Sequence, residues 1–413
     1  MPPGQRKRGC ACATEGALAV AIAALCCSTT ADAFEVAAGE WTLTVSGNVN
    51  VHYILADCED ESVPAITGGL ACRGAAGRER TSSISNGLLP AALAIGGTTT
   101  QNGYDLGVTF GFFPGIATND ASPNLQQGAD RLNTALGTTA IDVRQVFMTF
   151  GNDRMGTFKL GRDIGLFGAD AILNDMTIPG VGGINTNNAA PANTALGSIG
   201  LGYIYADWIG QITYTTPDLG GVQLSIGAFD PLEPILQDVA TPEGSPGVHG
   251  KISFTREPFY LSASFITQEH EGPTDAGDFD SVGFDAGGRV TFGPGEFLVW
   301  YYSGEGTGTT ALYLFGDTGT GAERDSDGLL AQLTWSFGDT EVGVNYGRSD
   351  LDLAEGELPS DLVQRNEKYT LGAYHSLTPN LTLLAELTQV QSEAHDGVEN
   401  ESTNFNIGAF LSF

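Results

Sequence analysis

The chain has 413 residues, with 18 Lys+Arg against 49 Asp+Glu, a net charge of −31 and 57 glycines. So acidic a surface excludes nucleic acid as a partner, and no segment approaches the roughly eighteen consecutive apolar residues of a transmembrane helix. A membrane barrel escapes the second exclusion, because its strands are short and apolar only at alternate positions.

The first segment reads as a secretory leader. Arg6, Lys7 and Arg8 give a basic start, "GALAVAIAALCCS" (Gly16 to Ser28) is apolar but too short to span, and "ADA" (Ala31 to Ala33) supplies small residues before a cut at Phe34. The basic start and the Ala-x-Ala site argue against a buried N-terminal helix. A lipoprotein cut fits poorly, since Leu25 and Cys26, not small residues, precede Cys26 and Cys27. The expected domains are therefore a cleaved signal peptide at 1–33 and an exported body at 34–413. Losing a leader with one net positive charge takes −31 to −32. It also removes Cys10, Cys12, Cys26 and Cys27, leaving Cys58 and Cys72. An even pair, close in sequence in an exported chain, is most simply a disulfide. A metal would need another soft ligand nearby, and only Arg73 stands by to hold a reactive thiolate.

Alternation with period two begins at "WTLTVSGNVNVHY", which sets Trp41, Leu43, Val45, Val49, Val51 and Tyr53 against Thr42, Thr44, Ser46, Asn48, Asn50 and His52. That is a strand with two unlike faces. The pattern recurs at Tyr104–Phe112, Val222–Phe229, Phe259–Thr267, Val282–Phe292, Leu329–Phe337 and Leu381–Gln389, and the chain ends on it at "NFNIGAFLSF". The polar rows hold Ser, Thr, Asn, Gln and Gly, a poor lining for a dry core. The second strand, near Ser85–Ile95, is weakened by Pro90.

Connections alternate between two kinds. Short ones, such as "GND" (151–153), "TPDLGG" (216–221), "REP" (256–258), "GPG" (293–295), "GD" (338–339) and "TPN" (378–380), have tight-turn chemistry. A further short turn is expected near Thr98–Asn102. Long ones run over about 56–83, 114–140, 163–203, 230–247, 269–279, 305–326, 351–365 and 392–402. The count predicts sixteen antiparallel strands. The loop asymmetry rejects a soluble sandwich and fits an all-β transmembrane barrel, whose closure satisfies every backbone hydrogen bond in lipid.

The third long connection differs from the rest. "GTFKLGRDIGLFGADAILNDMTIPGVGG" (Gly156 to Gly183) is compact and apolar, with Leu166, Phe167, Ala171, Ile172, Leu173 and Met176. Such a segment seeks a wall, and the barrel interior is the nearest one. The stretch from Arg144 through Gly183, with "VSGNVNVHY", "YTTPDLGGVQLSIGAF" and "FNIGAFLSF", resembles the general Gram-negative porins. The resemblance covers both ends and one internal block. It implies a homotrimer of sixteen-stranded barrels in the outer membrane, each narrowed by an inward-folded third loop whose acids face wall arginines. Matched residue by residue, Arg144 and Arg162 fall on the arginines of the fourth and fifth strands, and Asp175 on the loop aspartate. Asp163 and Asp170 stand beside it. Where many relatives carry a glutamate after the loop proline, this chain has Gly180 after Pro179, and arginines of the second and sixth strands have no clear equivalent. The resemblance also implies that Phe413, a terminal aromatic, is read by the barrel-assembly machinery.

Other motifs weigh little. "RDSDG" (Arg324 to Gly328) lacks most ligands of a calcium loop. The histidines show no metal spacing, and adjacent His375 and Ser376 point to opposite strand faces. The expectation is a passive channel for small hydrophilic solutes and ions, moderately cation-selective, set in lipid, without cofactor or catalysis. A substrate-selective channel is the nearest alternative. An adhesive barrel or an outer-membrane enzyme stands further off, and bilayer conductance or a hydrolysis assay separates them.

Overall fold

The computed structural model describes residues 33–59, 64–72, 79–116, 141–183, 194–233, 241, 242, 244–272 and 277–413. The expected leader lies outside the described residues, except for Ala33. The first strand, β1 (Phe34–Ala38), folds back on the start of β2 (Trp41–Cys58). Two short strands, β3 (Arg80–Ser85) and β4 (Ala92–Gln101), both pair with β2 and form the halves of one broken stave. There follow β5 (Tyr104–Pro114), β6 (Ile141–Asn152), β7 (Gly156–Ile164), the short helix α1 (Ala169–Leu173), β8 (Trp208–Thr215) and β9 (Val222–Phe229). After the two-residue β10 (Thr241–Pro242) come β11 (Gly247–Arg256), β12 (Phe259–Glu271), β13 (Phe279–Phe292), β14 (Gly295–Glu305) and β15 (Asp325–Phe337). The sheet ends with β16 (Thr340–Leu351), β17 (Val363–Thr378), β18 (Leu381–Ala394) and β19 (Glu399–Ser412).

Neighbours pair antiparallel throughout, and β19 pairs with β2 to close the sheet. With β3 and β4 as one stave, and β1 and β10 as flanking pieces, the described residues make a sixteen-stranded barrel, as the turn pattern predicts. The break in the second stave falls where Pro90 was expected to weaken it. Asparagines replace the lost ladder bonds there: Asn50 accepts from the Gly87 N–H at 2.8 Å and donates to Leu89 O at 2.8 Å, while Asn86 donates to Asn50 O.

The two faces are inverted relative to a soluble protein. Val49, Val51 and Tyr53 are exposed while Asn48, Asn50 and His52 on the other row of β2 are buried, and the same holds around the sheet. Leaving such apolar side chains in water would forgo about 1.5–3 kcal/mol each, so the outer surface fits hydrocarbon instead. Turns follow their residues. Asn102 and Gly103 take φ of 53° and 81°, the left-handed pair that a two-residue hairpin requires. A disulfide joins Cys58, at the end of β2, to Cys72, with Cα atoms 5.2 Å apart.

Candidate functional site

The largest hydrophobic cluster lies among the long connections and the buried inner rows, not on the sheet's outer face. Of the third long connection, residues 165–183 and 194–206 supply much of it. The Gly165 N–H donates to Asp207 O and closes the neck of this segment, and Gly168 (φ 73°) turns the chain into α1. Phe167, Ala171 and Ile172 bury against wall residues including Ile266, Trp300 and Leu330.

Polar contacts fasten both described parts of the segment to the wall. The Gly168 N–H donates to Asp285 Oδ2 at 2.6 Å. Asp170 accepts from Lys251 Nζ at 3.0 Å, from the Tyr260 hydroxyl at 2.7 Å and from Ser262 Oγ at 2.6 Å. Gln332 accepts from the Met176 N–H and donates to Asn174 O. Glu386 on β18 accepts from the N–H groups of Val181 and Gly182, both at 2.9 Å, and from Asn406 and Tyr374. Lys368 on β17, fully buried, donates to Gly197 O at 2.8 Å. The broken second stave joins in: Leu88 and Leu89 donate their N–H groups to Gly180 O and Ile178 O.

Two other connections add to this packing. Thr307, Leu312 and Tyr313, between β14 and β15, are buried, and the Tyr205 N–H donates to Thr310 O. From the first long connection, Leu70 enters the same cluster, its N–H bonded to Asn366 Oδ1 and Ser392 Oγ.

The residues expected at the constriction are dispersed. Asp175 is 1% exposed and turned into the segment's own packing. Its carboxylate accepts from the Thr177 N–H and hydroxyl, the Ser198 N–H and the Tyr203 hydroxyl. Burial, and then Asp175 itself, raise the Tyr203 hydroxyl well above its ordinary pKa, so it stays a donor. Arg162 is not brought to Asp175. It is in register with Val146 and Gly210 on the outer row, whose neighbours Val146 and Ile212 are exposed, and its Nε finds no partner. Arg144 sits at a bulge of β6, paired with Asp142 at 2.7 Å and lying over the Phe113 ring. Nearby Asp207 is raised above the usual carboxylate value by burial, opposed by the Trp208 N–H and then by Arg162 and Arg144. Asp163 lies on the inner row, bonded to Lys159 at 2.6 Å and to Gln145 at 2.9 Å. Phe413 continues the last ladder, exchanging backbone hydrogen bonds with Gly47.

Sequence reasoning missed Lys159, Lys251, Arg289, Lys368 and Glu386. Strand parity held the signal: each lies on a polar row, but a single ion on such a row looks like any other until the register shows what faces it. The departure at Gly180 also acquires a cause. A Cβ there would lie 2.1 Å from Glu386 Oε1, so the wall carboxylate fills the space that any side chain at 180 would need.

The sequence profile of the Gram-negative porin family matches residues 17–395. No curated protein matches the chain. Among solved structures, the outer membrane channel DcaP of Acinetobacter baumannii superposes with a TM-score of 0.66 at 13% identity, over 91% of this chain and 99% of that one. An anion-selective porin from Comamonas acidovorans gives 0.62 at 14% identity, covering 91% and 100%. OmpF of Salmonella typhi, in complex with daunomycin, gives 0.58 at 12% identity, covering 92% and 100%. At such identities the likeness is one of fold.

Proposed function

The chain belongs to the Gram-negative porin family and is an outer-membrane channel, and from that premise we propose that it passes small hydrophilic solutes and ions by diffusion with a moderate cation preference. The observation that carries this reading is the water-accessible strip of inner wall left beside the packed residues 165–183 and 194–206. On the inner rows of β5, β7, β11 and β13, Thr109, Lys159, Ser253 and Arg289 keep part of their surface. Acids on the inner rows of β5, β14 and β16, Asp105, Glu296 and Glu341, also keep exposed surface, and with the charge of −31 they favour cations.

Of the residues expected at the constriction, we assign Asp163 and Asp170 to the wall of this strip through their lysine partners. Arg144 belongs to its outer end, and Asp175 and Arg162 act in support. Removal of residues 1–33, assembly as a trimer in outer-membrane lipid, and recognition of Phe413 by the assembly machinery complete the proposal; the basic start, apolar run and Ala-x-Ala site support the first, and the resemblance to porins the other two. A second reading, a substrate-selective channel, is favoured by one observation: the buried entry of Leu70 and Tyr313 beside the main segment narrows the lumen further. Planar-bilayer recording under a KCl gradient tests both. Steady conductance with a reversal potential toward potassium supports the diffusion channel. Current that falls only on adding one class of solute supports the second reading, and a membrane that stays silent overturns both.

A further inference from the structure

We propose that the outer face of β9, β11 and β12 holds one phospholipid of the inner leaflet, with an acyl chain in a groove and the phosphate at Arg256. The proposal rests on the placement of the barrel in the outer membrane and not on which solutes or ions pass through it. On the outside of the barrel, side chains of β9, β11, β12 and β13 flank an apolar groove of about 530 Å³. Its ridges are Ile226 and Phe284, 56% and 58% exposed. Between them Gly250 is in register with Ile226 and Phe265, and Ala263 with Ile252. These small residues keep the floor low. A Cβ on Gly250 would lie 2.4 Å from the Phe265 ring, so that ring rests against bare backbone.

Arg256 ends the same outer row of β11, where the chain turns back into β12. From Gly250 to Arg256, at about 3.3 Å per residue, is roughly 20 Å along the strand, and at a tilt of about 45° roughly 14 Å of depth. Half of a hydrocarbon core about 30 Å thick is about 15 Å. With Arg256 at the polar boundary, Gly250 therefore reaches the middle of the bilayer, and the groove between them is as long as one leaflet is deep. Short turns of outer-membrane barrels face the periplasm, so that leaflet is the inner one. Charge selects the head of the occupant. Arg256 is exposed, and no carboxylate pairs with it among the described residues. Asp218 on the neighbouring turn accepts from the Gly221 N–H, and Glu257, next along the chain, leaves the guanidinium in the open. Phe259, level with Arg256, and Leu219 are apolar and exposed. An exposed cation at the foot of an apolar groove fits a phosphate that carries a hydrocarbon tail.

The test is native mass spectrometry of the purified channel, stripped of lipid by detergent exchange and titrated with dioleoyl phosphatidylglycerol or, as a phosphate-free control, dioleoylglycerol. Wild type is expected to take up one phosphatidylglycerol ahead of any other and to hold dioleoylglycerol about fivefold more weakly, the contribution of one exposed ion pair. Arg256→Gln should lose about the same fivefold for phosphatidylglycerol, and Arg256→Lys, which keeps the charge, should bind as wild type does. Ala263→Trp fills the groove and should weaken both lipids by more than about tenfold, the contact of only two methylenes. The Arg256 variants alter an exposed side chain alone, so they decide the matter if Ala263→Trp does not fold. Equal uptake by wild type, Arg256→Gln and folded Ala263→Trp would mean that lipid coats the belt without selection, and overturns the proposal. A change of oligomeric mass in Ala263→Trp overturns it too, because the groove would then belong to a second copy of the chain. Either failure leaves the channel reading intact, and a membrane silent under a KCl gradient would overturn that reading without touching this one.

Discussion

Replacing Glu386 by alanine is the sharpest test of how the lumen is narrowed. Its carboxylate holds the N–H groups of Val181 and Gly182 at 2.9 Å each, together with Asn406 Nδ2 and the Tyr374 hydroxyl. Alanine leaves two buried backbone donors without an acceptor, at about 1–3 kcal/mol each, so attachment of residues 178–183 weakens by about 2–6 kcal/mol. That is the scale on which segments open locally while the rest of a fold stays intact. The barrel ladder of β18 is untouched, because Glu386 pairs with Gly372 and Asn406 through its backbone. Single-channel recordings should therefore show higher mean conductance and flicker in Glu386→Ala, and hydrogen exchange should quicken at 178–183. Since a side chain on Gly180 would occupy the place of the missing carboxylate, Glu386→Ala with Gly180→Glu should quieten the channel again. A Glu386→Ala channel with wild-type conductance, a quiet trace and unchanged exchange at 178–183 would refute the reasoning.

Three further outcomes are expected. Cys58→Ser with Cys72→Ser should leave the barrel folded but speed proteolysis within 64–72, the cross-link being worth about 3 kcal/mol to a loop of this length in the chain-entropy model; unchanged cleavage would show that Leu70 alone secures the segment. Arg324 hydrogen-bonds Glu357 and holds its carboxyl below the ordinary value, so this tie between two outer connections is fully present above the usual glutamate pKa of about 4.3 and is lost as pH falls through the depressed one. Exchange at 315–324 should rise over that acid range in wild type and be fast at every pH in Glu357→Gln. Asp175→Asn should loosen the contacts of 175–177 with 198–203 by about 1–3 kcal/mol and leave the reversal potential nearly unchanged; a clear shift toward anions would place Asp175 on the ion path.

The barrel was legible because strand parity and turn chemistry repeat. Val49, Val51 and Tyr53 against Asn48, Asn50 and His52 announce a two-faced stave, and Asn102-Gly103 or Gly338-Asp339 announce where it reverses. Even the defect at Pro90 could be placed. The apolar run Leu166 to Met176 likewise pointed to a wall. What could not be read was which polar side chains face one another across the lumen, since Asp170 and Lys251, or Glu386 and Gly182, are brought together only by closure. Arg162 shows the limit of transfer by motif. Its Gly-Arg pair matches the family pattern, yet its register with Val146 puts it on the outer row, out of phase with Asp163.

That arrangement changes what the acidity of the sequence means. A segment folded into the barrel carries backbone N–H groups that water no longer serves, and each needs an acceptor on the wall or within the segment. Asp285 serves Gly168, Gln332 serves Met176, Glu386 serves Val181 and Gly182, Asp175 serves Ser198, and Ser349 serves Gly202. Several carboxylates of the acidic excess are thus internal fastenings, spent on amides or on Lys159 and Lys251. A permeating ion does not meet them as free charge. The net charge of −31 therefore overstates the field along the path, and the cation preference proposed above should be moderate, because the contacts that hold the segment in place also neutralise its acids.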